Sequence, residues 1–207
     1  MKLIPKPVER AFLAGFRPFV DLLIRAGVRP NTITTVGTLL VLASAWEYGA
    51  GRLRMGGLLL LVSGIVDTLD GAVARAAAQV TKFGAFYDST LDRVGDGATF
   101  MGIAVYLLTT PDEVAWRNPA IMVCMVAIIS SLIVSYARAR AEGLGLECKV
   151  GIAQRAERIV GLGIPSLLVG AGPRALVLEA IVAALALASV ITVVQRFVYV
   201  HRITGGA

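Results

Sequence analysis

The sequence has few of the residues that build disulfide-stapled or thiolate metal sites. Its 207 residues include two cysteines and one histidine. Cys124 falls in an apolar run and Cys148 in a polar loop, which matches neither a disulfide framework nor a Cys/His metal site. His201 lies beyond the last apolar run, where we expect it to be solvated or interfacial rather than catalytic. Neither the two thiols nor the single imidazole is therefore expected to take part in catalysis.

Charge is also scarce. Charged residues make up 16% of the chain and hydrophobic residues 57%, against roughly 25% and 45–50% in soluble domains. The composition therefore predicts an integral membrane protein. The net charge is +6, but the basic residues flank apolar runs and form no separate stripe. Anionic lipid headgroups and substrate phosphates are the expected partners, and nucleic acid is not.

The apolar runs predict an all-α integral membrane fold with six transmembrane helices and an N-terminal amphipathic surface helix. In residues 7–28, Phe12, Phe16 and Phe19 alternate with Arg10 and Arg17 at helical spacing, as in a helix that lies on a membrane. The whole chain, 1–207, is predicted to be a single membrane domain with a juxtamembrane helix at 1–29 and a bundle at 30–200. The six spans are predicted at residues 32–50, 55–78, 86–109, 120–141, 152–170 and 175–200.

The distribution of Lys and Arg predicts the orientation of the bundle. With the N-terminus inside, the outer loops hold only Arg52, Arg54, Arg117 and Arg174, and Arg93 lies within a span. All other Lys and Arg residues fall on the inner side. The positive-inside rule thus predicts a multi-pass protein of the cytoplasmic membrane.

Four carboxylates in residues 67–92 are the main chemical feature of the sequence. Asp67 and Asp70 are three residues apart, and Asp88 and Asp92 are four apart, so each pair lies on one face of a helix. If the two helices pack antiparallel across a short turn at residues 81–84, all four carboxylates converge on the cytoplasmic side. Such anions repel one another unless cations neutralise them. Oxygen ligands suit Mg²⁺, Mn²⁺ or Ca²⁺, and shared carboxylates suggest two ions.

The same stretch fits the pattern D-x2-D-G-x2-A-R-x8-G-x3-D-x3-D at every position. It resembles the signature of the CDP-alcohol phosphotransferase family. The resemblance implies that a CDP-linked lipid donates its phosphatidyl group to an alcohol and releases CMP. It also implies a homodimer. The residues that carry it are Asp67, Asp70, Gly71, Ala74, Arg75, Gly84, Asp88 and Asp92.

The resemblance further implies roles for individual residues. Asp67, Asp70 and Asp88 would bind a first metal ion, and Asp67, Asp88 and Asp92 a second, with Mg²⁺ expected and Mn²⁺ as the alternative. Asp92 would also be the general base. The implied contacts to the CDP-lipid are Gly71, Arg75 and Thr81, joined by Asn31 and Thr34 from a segment similar to the family's cytidine side.

The acceptor alcohol is expected to carry a phosphate, because arginines recur near the cytoplasmic ends of the last three spans. This set is similar to that of bacterial phosphatidylinositol-phosphate synthases, which join CDP-diacylglycerol to inositol 1-phosphate. Arg138 and Gln154 depart from the SYxKARAE and ERxER patterns of those enzymes. The leading phosphate-binding candidates are Arg155 and Arg196, followed by Ser135, Arg138, Arg140 and Arg158.

Other functions remain open at this point. Within the family, the alternative acceptors are glycerol 3-phosphate, which the arginines would suit too, serine and a bare polyol. Intramembrane prenyltransferases also present paired aspartates but lack the Gly71, Ala74, Arg75 and Gly84 pattern. A divalent-cation transporter would spread its acids through the bilayer depth. The sequence leaves Asp96 as either a support for the metal ligands or a partner of Arg93, and it does not explain Glu179.

Overall fold

The computed structural model describes residues 6–110 and 114–205, with side chains from Gly15 onward. This part of the chain is helical and contains no strand. The helices begin and end within a few residues of the segments expected from the sequence. They are α1 (Lys6–Arg25), α2 (Pro30–Gly49), α3 (Leu53–Ala76), α4 (Lys82–Thr109), α5 (Arg117–Gly143), α6 (Arg155–Val169) and α7 (Leu176–Ile203), with a short 3-10 turn at Pro173–Ala175.

Three stretches among the described residues are long and apolar enough to cross a membrane: Leu53–Ala76, Arg117–Gly143 and Pro173–Ile203. Large apolar side chains on α5 point outward, with Met122 61% exposed and Ile129 57% exposed. A surface of this kind is suited to lipid rather than water. The protein is therefore described as a membrane protein, whereas crossing by α2, α4 and α6 stays a prediction.

The interior is formed by apolar side chains from most of the helices. The fully buried residues include Tyr48 of α2, Leu107 of α4 and Leu178 of α7. Glu179 lies next to this core in the first turn of α7, and its Oε1 accepts the backbone N–H of Trp116 at 3.0 Å. Trp116 immediately precedes α5. The acid that the sequence left unexplained therefore joins the starts of two neighbouring helices.

The described half of α1 packs on α3. Val20 is buried together with Leu69 and Val73 of α3, and Phe16 packs against this group. Arg10 and Phe12, two residues of the predicted amphipathic pattern, lie outside the side chains that the structure describes. The position of α1 on a membrane surface stays a prediction.

Glycines let α3 and α6 approach at backbone distance. A Cβ added to Gly57 of α3 would lie 2.7 Å from the carbonyl oxygen of Gly163 in α6, and one on Gly64 would lie 3.0 Å from Ile159. The two helices run antiparallel along this contact, so the next turn of α6 brings Arg155 beside Asp67. Close packing of small residues in the middle of the bundle thus aligns the charged end of α6 with the carboxylates.

The turn between α3 and α4 comes earlier than predicted. Residues 82–84 belong to the first turn of α4, and Thr81 is its N-cap. The Thr81 hydroxyl accepts the backbone N–H of Gly84 at 2.9 Å. This bond satisfies a donor that the helix itself leaves free, which is why the helix begins at Lys82.

α3 and α4 are held together through α2, rather than by the direct antiparallel packing that was expected. The main packing partner of both helices is α2. Thr34 of α2 donates to Asp70 of α3 at 2.6 Å, and the hydroxyls of Thr35 and Tyr87 in α4 lie 3.0 Å apart. The carboxylates of α3 and α4 therefore meet where α2 supports the joined ends of both helices.

We expect Gly57→Ala to destabilise the bundle, because the new methyl group collides with backbone atoms of α6. Overpacking of this kind typically costs about 1–3 kcal/mol. Thermal unfolding of the detergent-solubilised protein measures the effect. Gly97→Ala is the matched control, since a Cβ at that position has no neighbour within 4 Å. Equal melting temperatures for the two variants would contradict the close approach of α3 and α6.

Candidate metal centre and adjoining arginine cluster

Three of the four predicted carboxylates form one group. Asp67 and Asp70 lie one turn apart near the end of α3, and Asp88 lies in the second turn of α4. One ligand oxygen from each lies within 4.8 Å of the others. This group is the candidate metal centre, and it contains three of the four carboxylates that were predicted to converge.

The surroundings of these carboxylates fit a hard divalent cation. Asp70 is buried, and its Oδ2 accepts the Thr34 hydroxyl. Oδ1 of Asp88 is also buried, but it has no hydrogen-bond partner. Three converging anions with an unpaired oxygen need nearby positive charge, and oxygen ligands are those that Mg²⁺ and Mn²⁺ prefer. The residues present thus fit a divalent metal ion.

Asp92 lies outside that group and is connected to it by an arginine. Nη1 of Arg155 lies 2.9 Å from Oδ1 of Asp67 and forms a close ion pair with Oδ1 of Asp92. Arg155 is the first residue of α6, so a helix distant in sequence contributes a cation between α3 and α4. The predicted convergence of four carboxylates on one point is therefore replaced by three carboxylates and an arginine bridge to the fourth.

A second ion pair lies one turn deeper. Oδ2 of Asp96 is 2.5 Å from Nη2 of Arg158, and both side chains are buried. Nη1 of Arg158 donates to the carbonyl of Ala153 at 3.1 Å. Arg93 instead donates to the carbonyl of Ser89 on its own helix. The sequence left open whether Asp96 supports the metal ligands or pairs with Arg93. The hydrogen bonds do not favour pairing with Arg93, because Asp96 pairs with Arg158.

This ion pair had a recognisable sequence pattern. Arg155 and Arg158 are three residues apart, and Asp92 and Asp96 are four apart. Each pair therefore projects from one face of its helix. Two such faces of opposite charge can form a ladder when their helices meet. The pattern does not reveal that α6 and α4 are the helices that meet.

The predicted CDP-lipid contacts gather around the same end of the bundle. A Cβ on Gly84 would lie 3.0 Å from the Thr81 hydroxyl and 3.2 Å from Oδ1 of Asn31. A Cβ on Gly71 would lie 3.1 Å from Nη1 of Arg75, so this guanidinium lies over a glycine. The two motif glycines are thus positions where polar side chains approach the backbone closely.

The other predicted acceptor residues differ in their surroundings. Arg196 is buried, and it donates from Nε to the carbonyl of Val150 at 3.0 Å and from Nη1 to that of Val134. Arg138 pairs with Glu142 at 2.9 Å. Ser135 is half-buried and Arg140 is exposed, both towards the C-terminal end of α5. Among the predicted phosphate-binding residues, Arg155 forms ion pairs with both Asp67 and Asp92.

Fold and site together define a helical membrane protein with a carboxylate-lined divalent-metal centre at one end of its bundle. The family model for CDP-alcohol phosphatidyltransferase matches residues 28–194. This match spans the carboxylates, the arginine cluster and six of the seven α-helices at least in part. The chain belongs to the CDP-alcohol phosphatidyltransferase family, and it is a transferase.

Curated relatives cover nearly the whole chain. The archaetidylinositol phosphate synthase of Methanothermobacter thermautotrophicus is 39% identical over 198 residues, which are 93% of this chain and 96% of the relative. The phosphatidylinositol phosphate synthase of Cutibacterium acnes is 42% identical over 203 residues, with 92% and 96% covered. The similarity thus includes the last three helices, where the arginines predicted to bind the acceptor lie.

Solved structures of the phosphatidylinositol phosphate synthase of Mycobacterium tuberculosis have the same fold. The form with CDP-DAG bound superposes with a TM-score of 0.78 at 33% identity, covering 89% of this chain and 92% of that one. The form in complex with manganese and citrate has a TM-score of 0.76 at 33% identity, with 87% and 86% covered. Together with the aspartate group, the manganese complex indicates dependence on a divalent metal.

We expect Asp88→Asn to weaken Mn²⁺ binding by at least about tenfold, since even groups that only support metal ligands contribute about 10–100-fold. The amide removes an anionic ligand whose buried oxygen has no other partner. Electron paramagnetic resonance of free Mn²⁺ measures the affinity. Asp21→Asn, the same substitution on the exposed face of α1, is the control. Unchanged Mn²⁺ affinity in Asp88→Asn would contradict the metal assignment.

Proposed function

We propose that this enzyme transfers a phosphatidyl group from CDP-diacylglycerol to inositol 1-phosphate, giving phosphatidylinositol phosphate and CMP. The observation that carries the proposal is the guanidinium of Arg155 held beside the metal-centre carboxylates. A phosphate-bearing acceptor needs a cation next to the reacting centre, and a guanidinium binds phosphate oxygens in a bidentate manner. The names of the relatives support the same acceptor.

The metal centre accounts for the donor half of the reaction. Asp67, Asp70 and Asp88 would hold one ion, and Asp67, Asp88 and Asp92 a second, with Mg²⁺ proposed and Mn²⁺ as the alternative. When bound, the ions supply charge neutralisation for the pyrophosphate of the CDP-lipid. Asn31, Thr34, Gly71, Arg75 and Thr81 are proposed to position that lipid.

Asp92 is proposed as the general base. The acceptor hydroxyl loses its proton to this carboxylate as its oxygen bonds to the phosphorus that carries the diacylglycerol. The bond from that phosphorus to the bridging oxygen of the pyrophosphate breaks, and CMP leaves with the electron pair. Arg155 lies beside Asp92, so an acceptor whose phosphate binds this arginine would bring its hydroxyl near that carboxylate.

The remaining acceptor residues are proposed to surround that phosphate. Ser135, Arg138 and Arg140 lie towards the C-terminal end of α5, where a mobile acceptor would enter from the aqueous side. Arg158 and Arg196 donate to protein groups, which supports a role in building the walls of the phosphate site. Their direct contact with the acceptor stays a prediction.

We further propose a multi-pass arrangement in the cytoplasmic membrane, with six crossings and the carboxylates on the cytoplasmic side. The support is the excess of Lys and Arg on the side that carries the site. The exposed apolar faces of the helices and the amphipathic pattern of α1 suit lipid contact. A homodimer remains part of this proposal on the family resemblance.

Transfer of radiolabel from CDP-diacylglycerol tests the acceptor. With Mg²⁺ present, we expect product from inositol 1-phosphate and none from glycerol 3-phosphate, serine or free inositol. Chelation of the metal is expected to stop the reaction. Product from glycerol 3-phosphate instead would retain the family reaction and overturn the acceptor assignment, a result that the departures at Arg138 and Gln154 make worth testing.

We expect Asp92→Asn to lower kcat by about 10²–10⁴-fold, the usual contribution of a general base. Binding of the CDP-lipid should change little, because Asp67, Asp70 and Asp88, the proposed ligands of the first ion, remain. Turnover is measured together with binding of CDP by calorimetry in the presence of Mn²⁺. Turnover near that of the unsubstituted enzyme would remove Asp92 from the role of base.

A further inference from the structure

Four charged side chains join α6 to α4. Arg155 and Arg158 project from the first turn of α6 and meet Asp92 and Asp96 of α4. The helices that pack closely on α6 are α3 and α7. Side-chain charges, rather than close backbone packing, therefore connect the start of α6 to α4.

Asp96 is shared between both arginines. Its Oδ2 lies 2.5 Å from Nη2 of Arg158, and its Oδ1 lies 3.9 Å from Nε of Arg155. The Nε of Arg155 is buried and makes no hydrogen bond. Asp96 thus lies on the Nε side of the Arg155 guanidinium, whereas Asp67 and Asp92 pair with its Nη1.

The shared carboxylate also has an electrostatic task. Arg155 and Arg158 are like charges one turn apart, and such pairs repel. A buried ion pair adds little stability compared with apolar residues of the same volume, but it can fix a particular arrangement. Arg158 is in addition anchored to the carbonyl of Ala153 at 3.1 Å. Asp96 and Arg158 together form a buried ion pair behind Arg155.

We propose that Asp96 is a positioning residue for acceptor binding. Through its pair with Arg158, it holds the Arg155 guanidinium between Asp67 and Asp92, so that the guanidinium is preorganised for an incoming phosphate. This inference rests on the proposed function, because it takes Arg155 as the group that binds the phosphate of the acceptor. It assigns Asp96 to neither the metal nor the CDP-lipid.

The test compares Asp96→Asn with Asp96→Glu, which restores the charge. Removing the charge takes away the anion behind Nε of Arg155 and loosens the placement of its guanidinium, so the Kd and KM for inositol 1-phosphate should rise about tenfold. The KM for CDP-diacylglycerol and the affinity for Mn²⁺ should stay within twofold. Asp96→Glu should recover part of the acceptor affinity. Equal losses for both substrates, or loss of Mn²⁺ binding, would overturn the proposal.

A double substitution separates positioning from a general structural role. In an Arg155→Ala background, Asp96→Asn should change the acceptor Kd no further, because the residue through which it acts is gone. A further tenfold loss in that background would overturn the proposal. Should Asp96→Asn fail to fold, Arg158→Lys provides the same comparison, since lysine keeps the charge but cannot bridge Asp96 and the Ala153 carbonyl in the same way.

The control is Glu47→Gln, which removes an ion-pair carboxylate at the remote end of α2, where Glu47 pairs with Arg52 at 2.8 Å. Acceptor binding is measured by calorimetry and does not depend on turnover. Wild-type protein that binds inositol 1-phosphate without transferring a phosphatidyl group would refute the proposed reaction and leave the positioning test intact. A tenfold effect in Glu47→Gln would refute the positioning of Arg155 by Asp96.

Discussion

The repulsion between carboxylates at one end of an apolar bundle is the constraint on which the rest of this structure depends. Asp67, Asp70 and Asp88 bring ligand oxygens within 4.8 Å of one another. In surroundings with little water, such a group is stable only when positive charge lies beside it. The structure supplies part of that charge from α6, and the free oxygen of Asp88 indicates where a metal ion would supply the rest.

Helix packing serves this electrostatic arrangement. The glycines of α3 and α6 allow a backbone contact in the middle of the bundle, and this contact sets the height at which Arg155 meets Asp67. On the other side, α2 supports α3 through the Thr34 bond to Asp70. The candidate metal ligands thus lie on helices held from two sides, and the arginines beside them come from a helix whose position depends on the glycine contact.

The arginines divide into groups with different physical roles. Arg155 contacts two site carboxylates and is the residue proposed to bind the phosphate of the acceptor. Arg196 donates to the carbonyls of Val134 and Val150, and so ties α7 to α5 and to the loop before α6. Arg138 forms an exposed pair within α5, of the kind that contributes little to stability. Arginines that look equivalent in the sequence therefore differ in whether their guanidinium groups are available to a substrate.

Local patterns in the sequence were sufficient for the helices and for the aspartate motif. Apolar runs between polar turns predicted the helical segments within a few residues, and the spacing of Asp67, Asp70 and Asp88 predicted a shared cation site. Both features depend on residues close together in the chain. The Thr81 hydroxyl, which caps α4, is also a local feature. Because it starts α4 at Lys82, the turn lies a few residues earlier than predicted.

The tertiary structure alone decided how the charges pair. Arg155 and Asp67 are 88 residues apart, and Arg158 and Asp96 are 62 apart. No local pattern specifies that α6 lies against α3, or that its first turn reaches Asp92 and Asp96 of α4. That arrangement comes from the glycine contact and from the cost of leaving buried charges unpaired, both of which exist only once the helices have packed. The sequence by itself therefore determined the family and its aspartate motif. The packing of the helices decided that Arg155 is the arginine that contacts Asp67 and Asp92.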